Sequence, residues 1–299
     1  MKRKLQNFIF VLIFIAGLSL LLYPYIANEW NTYRQSKLIT TYDEQIAEIE
    51  DEIDYSAEWD RAHAFNSALL PSILPDSFAI AAADDEPDPE YMANLNLLGD
   101  GMMGMVEIPK IDIKIPIYHT TSEEVLQIAA GHLEGSSLPV GGYDTHSVIS
   151  AHRGLPSAAL FTDLDRLEEG DHFLLHILDD TLCYEVDQIT IVEPEQTDAL
   201  AVEPGRDLVT LLTCHPYGVN SHRLLVRGHR VDYTPELVEN EAEQSIINPS
   251  LHTNYLLWVV IGLAITALVI LLLTLNERRI RRKLLAKKKA EEERAQAEE

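Results

Sequence analysis

This 299-residue sequence predicts a mainly β fold, a closed or nearly closed barrel held between two membrane spans. Three observations predict it. From Met105 to Tyr233 the chain breaks into short runs of alternating or β-branched apolar residues separated by turn residues. The helices that a parallel α/β sheet places between most of its strands are missing from that pattern. Residues 8–27 and 255–275 carry no charge and are long enough to cross a bilayer.

The ends set the topology. Lys2, Arg3 and Lys4 lie in a basic N-terminus, residues 1–7, and "NERRIRRKLLAKKK" opens the tail, residues 276–299. Basic flanks favour the cytoplasmic side, so both termini are expected inside, with residues 28–254 outside a plasma membrane crossed twice. A cleaved signal peptide is the alternative for the first span. Tyr25 and Ala27 do not give the small-x-small site that cleavage needs. Of 23 Lys+Arg and 48 Asp+Glu, the two ends hold twelve and six, leaving 11 against 42 and a charge of about −31 between them. Such a surface excludes nucleic acid as a partner.

Residues 28–71 read as helix. Tyr42, Ile46, Ile49 and Ile53 fall on one stripe of a 3.6-residue period, and Pro71 and Pro75 stop it. Residues 72–103 are rich in Pro, Asp and Ala and carry no clear period. The barrel is expected over 104–234. "MVEIPKIDIKIPIY" gives two strands, and Ser122 caps a short helix in "SEEVLQIAA". "HSVISAHR", "DHFLLHIL", "TLCYEVDQITIVE", "DLVTLLTC" and "HRLLVRGHRVDY" give five more, and residues 235–254 link to the second span.

Cys214 ends the apolar run before it, where side chains begin to meet solvent. A lone cysteine in that place is more often core filler than nucleophile. A disulfide with Cys183, the other cysteine, is open, and it would abolish thiol chemistry. His152 closes a strand just before Gly154 and can project into a cleft, although a lone histidine is usually a satisfied or surface residue, and His132 reads the same way. His215 follows Cys214 directly and points to the opposite face. Arg223 and Arg227 share parity, so alternation does not choose between them. As a set, these residues could supply a thiolate, a proton carrier and a guanidinium for an oxyanion.

The chain resembles the class C, or pilin, sortases. The resemblance rests on "TLLTC" at 210–214 with Arg223 nine positions on, "ISAHRG" at 149–154, "GHLEGSSLPVGG" at 131–142, "EIPKIDIKIPIY" at 107–118, "LFTDLDRLEEGD" at 160–171 and "LLVRGHR" at 224–230. It implies an eight-stranded β-barrel with short helices, without cofactor or metal, and a catalytic set of Cys214, His152 and Arg223. It also implies cleavage of an LPxTG-like signal between Thr and Gly through a thioester. Transfer to a lysine of the next pilin subunit would then polymerise pili. Pilin sortases carry a lid with an Asp-Pro-aromatic motif, which this sequence lacks in that form. Asp76 and Phe78 in "DSF" keep the acid and the aromatic ring at the right spacing without the proline, while Asp88 and Tyr91 in "DPEY" keep the Asp-Pro. The flanking sequence favours Asp76 and Phe78. A housekeeping sortase acting on peptidoglycan precursor is the alternative enzyme. A non-enzymatic anchored surface protein lacks its own sorting signal in "QSIINPSLHTN" before the second span.

Overall fold

The computed structural model describes residues 2–69, 74–80, 86–236 and scattered positions between 257 and 286. Helix α1 runs unbroken from Lys2 to Ile49, 48 residues or about 72 Å. The boundary expected near residue 28 is therefore one of composition and not of backbone. Among the described residues one helix, α1, is long and apolar enough to cross a membrane. The span expected over 255–275 falls partly outside the described residues, where Val259–Leu268 forms a shorter apolar helix. Residues 248–299 make a compact unit separate from residues 1–247.

In the last turns of α1, from Thr41 on, Tyr42, Ile46 and Ile49 are half-buried among exposed neighbours. The helix does not continue to residue 71 as the sequence suggests. Glu48, Glu50, Asp51 and Glu52 crowd its C-terminal end, where the helix dipole disfavours negative charge. The chain tightens into a 3-10 turn, Glu50–Glu52, and extends at Ile53. It restarts as α2, Tyr55–Ala68, with the Asp54 carboxylate accepting from Ala57 N at 3.1 Å as its cap.

The strands are β1 (Met102–Ile108), β2 (Ile113–His119), β3 (Ala130–His132), β4 (Thr145–Ser150), β5 (His172–Ile177), β6 (Asp180–Val192), β7 (Asp207–His215) and β8 (His222–Val231). They close in the order β1-β2-β3-β4-β7-β8-β6-β5. The β2–β3 and β4–β7 pairs are parallel and the rest antiparallel. Alternation alone finds one strand too few because β3 spans only three residues, too short to show a period.

Two apolar layers follow from the alternation of side chains along each strand. Val106, Ile117, Ile149, Phe173, Val209, Leu211, Leu224 and Val226 fill the barrel interior. Their neighbours Val148, Leu212 and Leu225 face outward and form a second cluster with Leu133, Leu200 and Leu74. An apolar patch on the outer wall needs a cover, and Leu74, from the segment before the barrel, supplies part of it.

Candidate active site

The nine-residue spacing between Cys214 and Arg223 is a hairpin register. β7 and β8 pair antiparallel with Cys214 directly opposite Arg223, so both side chains leave the same face, the outer one. Gly218 and Asn220 take positive φ in the connecting turn. Register also separates the two arginines that parity could not. Arg227 lies opposite Thr210 and is held by Asp187 at 2.9 Å and Glu203 at 2.6 Å.

His152 follows the end of β4 by two residues. β4 and β7 are in parallel register from Thr145 opposite Asp207 to Ser150 opposite Leu212. The same offset, carried two residues further, sets His152 beside Cys214. Burial pushes the His152 pKa down, and the Glu123 carboxylate partly opposes it from 4.0 Å. Among the described residues its buried Nε2 has no hydrogen-bond partner. Cys214 is 6% exposed. Burial raises its thiol pKa, Arg223 pulls it down and Asp76 pushes it up again.

A short helix, α3 (Ser77–Ile80), with Asp76 before it, packs against His152 and Arg223. The Asp76 carboxylate accepts from Arg223 Nε and Nη2, both at 2.6 Å, in a buried two-pronged ion pair. Burial works against the arginine's charge, and the hydrogen bonds it donates to Asp76, together with the charges of Cys214, Asp76 and Glu195, outweigh it and hold the Arg223 pKa above its usual value. The Phe78 ring centroid is 5.2 Å from the His152 ring and 5.1 Å from Arg223 Cζ. Ser77 anchors the segment: its hydroxyl accepts from Ser150 Oγ at 2.7 Å and its carbonyl from Thr121 Oγ1 at 3.0 Å.

The other acid–aromatic pair is elsewhere. Asp88 caps α4 (Pro89–Ala93), accepting from Glu90 N at 2.8 Å. Tyr91 is a core residue, 1% exposed, with its hydroxyl 3.0 Å from His132 Nδ1 and accepting from Thr120 N at 3.0 Å. Cys183 lies opposite Val231, eight residues along β8 from Arg223 and so about 26 Å from Cys214 along the strand. That separation excludes a disulfide, and Cys214 is a free thiol.

Depressions of about 680 and 550 Å³ open on the barrel wall around Trp59, Asp207 and Arg230, and around Asn66, His146 and Pro204. Neither is lined by Cys214, His152 or Arg223, whose surroundings α3 already occupies. Residues that the sequence does not single out also hold the site: Leu74, Ser77, Glu123, Arg153, Asp165 and, in a role other than partner to Cys214, His215. "HRG" beside "TCH" is the only local hint of the last of these.

A closed barrel whose rim gathers a thiol, an imidazole and a guanidinium is the framework of a cysteine transpeptidase. The sortase domain matches residues 106–231. Sortase C of Streptococcus pneumoniae, described in connection with pilin substrate specificity, is 47% identical with a TM-score of 0.60, covering 67% of this chain and 98% of its own. A pilus-related sortase C of Group B Streptococcus is 42% identical with a TM-score of 0.55, covering 60% and 90%. Sortase A of Bacillus anthracis is 28% identical over 155 residues, 52% of this chain and 71% of that protein. The chain belongs to the sortase family.

Proposed function

We propose that the chain is a class C sortase that joins pilin subunits through an isopeptide bond. The observation that carries this reading is the contact of one short segment with two of the three site residues: Asp76 on Arg223 and Phe78 against His152. Residues placed to be covered together are residues that work together. In this reading Cys214 attacks the Thr–Gly carbonyl of an LPxTG-like signal, and Arg223 donates to the oxyanion. His152 protonates the departing glycine amine, leaving a thioester on Cys214. A pilin lysine then attacks, His152 takes its proton, and the thiol is regenerated. Segment 74–80 acts as the lid, since substrate and segment compete for Arg223.

The unbroken α1 suits an anchor that carries the barrel on the outer side of the membrane. The basic residues after 276 suit a second crossing with both termini inside. The function is tested by incubating the full chain in detergent with pilin and searching by mass spectrometry for a Thr–Lys isopeptide. Product from wild type and none from Cys214→Ala is expected. Equal product from the two sinks the mechanism. A product joined only to a peptidoglycan-type amine identifies a housekeeping enzyme instead.

A further inference from the structure

His152 and Cys214 sit in a gap between two hydrogen-bonded rungs. The β4–β7 ladder ends with Ser150 opposite Leu212, an offset of 62 residues that is constant along the pair. The last backbone bond runs from Ala151 N to Leu212 O at 3.2 Å, and the register continues beyond it. One residue on, Thr213 Oγ1 donates to Ala151 O at 2.7 Å, again 62 residues apart. Three residues on, Arg153 Nη1 donates to His215 Nδ1 at 3.1 Å, also 62 apart. Between them falls the 152/214 rung, where among the described residues His152 Nε2 has no hydrogen-bond partner and the Glu123 carboxylate lies 4.0 Å away. The imidazole is therefore placed by what holds the residues on either side of it.

Arg153 is built for that task. Its side chain is 7% exposed, and its second arm forms an ion pair with Asp165 in the 3-10 turn Leu164–Arg166. The backbone around it is tied to the same loop: Phe161 N donates to His152 O at 3.1 Å, and Gly154 N to Thr162 Oγ1 at 3.1 Å. Gly154 has φ +78, and a Cβ there would come within 3.1 Å of the Tyr217 ring, so the loop after His152 also packs on the turn after Cys214. A guanidinium only donates, so His215 Nδ1 presents its lone pair and the ring proton lies on Nε2.

We propose that Arg153 and His215 are positioning residues, a side-chain strut that continues the β4–β7 register and fixes the separation of His152 from Cys214. The inference rests on the reading of those two as acid/base and nucleophile. A displacement of one ångström at reacting groups costs about 100-fold in rate, so the strut acts on kcat and not on peptide affinity.

The test is transfer of an LPxTG-type peptide to an amine, using the full chain in detergent. Arg153→Gln and His215→Leu are expected to lose between about 10- and 100-fold in kcat with KM unchanged. His215→Asn, which keeps an acceptor oxygen, is expected to recover part of the loss. The double variant should fall no further than the worse single one, because both break one contact. Wild-type kcat in both single variants, losses that multiply in the double variant, or a loss that only follows the folded fraction by circular dichroism, overturns the strut. Cys214→Ala run in parallel separates the two ideas. If it turns over like wild type, the reading of the site fails. If it is dead while the strut variants are normal, the strut alone fails.

Discussion

At Cys214 two neighbours pull in opposite directions. Burial and the Asp76 carboxylate favour the thiol, and Arg223 favours the thiolate. Removing Asp76 takes away a charge that raises the pKa and frees the arginine that lowers it. Asp76→Ala is therefore expected to move the pH profile of Cys214 alkylation downward. At a pH below the pKa, a profile lower by one pH unit gives about tenfold more thiolate. An unmoved profile would mean that Asp76 does not govern the thiol. Arg223→Lys keeps the charge and loses the fork that spans both Asp76 oxygens. Loss of an oxyanion donor costs on the order of 100- to 1,000-fold in kcat, and lysine is not expected to rescue it. The residues of the site were legible to different depths. The spacing of Cys214 and Arg223 could be seen because a tight hairpin turns sequence distance into register. Arg227 stayed a rival because parity is blind to position along a strand. The flanking sequence already favoured the acid–aromatic pair at 76 and 78 over that at 88 and 91, and in three dimensions the first meets Arg223 while Asp88 is an exposed helix cap and Tyr91 is buried against His132.

Among the elements, α4 is held to the barrel by a buried polar knot. Tyr91 Oη meets His132 Nδ1, and His132 Nε2 donates to Ser137 O at 2.8 Å, which leaves the ring neutral. Burial drives the His132 pKa down to about 4. The folded state thus binds this proton less readily than the unfolded chain, whose histidine titrates near 6.5. Its stability is complete above that value and falls as the pH drops from 6.5 towards 4, by about 2 kcal/mol between pH 7 and pH 5. Urea unfolding at the two pH values measures it, and a His132→Asn variant should lose this share of the dependence, leaving that of His119, His146 and His152, whose pKa values burial also lowers. Tyr91→Phe strands Nδ1 without a donor and is expected to cost about 1–3 kcal/mol. None of this was visible in "AAGHLEG", where a three-residue strand shows no alternation and a buried histidine looks like any other. The break in the helix at Glu50 was written in the sequence as a cluster of acids, but the apolar stripe running through Ile53 masked it.

For the whole molecule, the unbroken α1 predicts that the barrel is carried at the end of a rigid helix. Cysteine-labelling of intact cells at engineered sites is expected to reach the barrel wall and to miss residues 1–7 and the basic tail. Labelling of the tail from outside would rule out the two-pass arrangement. The composition made the charge separation readable, and short strands with few helices between them already pointed to a closed or nearly closed barrel, but not to the pair that closes it, β1 meeting β5 across some 70 residues of chain. The segment 74–80 has a further consequence. As the proposed lid it is a ligand covalently wired to its own receptor, so it would compete at an effective concentration that short tethers set in the millimolar range, whatever the amount of enzyme. Dilution cannot relieve such a competitor, and only a local crowd of signals can. An enzyme built this way gauges the density of its substrate at the membrane, and opening the segment with Asp76→Ala is expected to lower the apparent KM, whereas Arg153→Gln is expected to leave it unchanged.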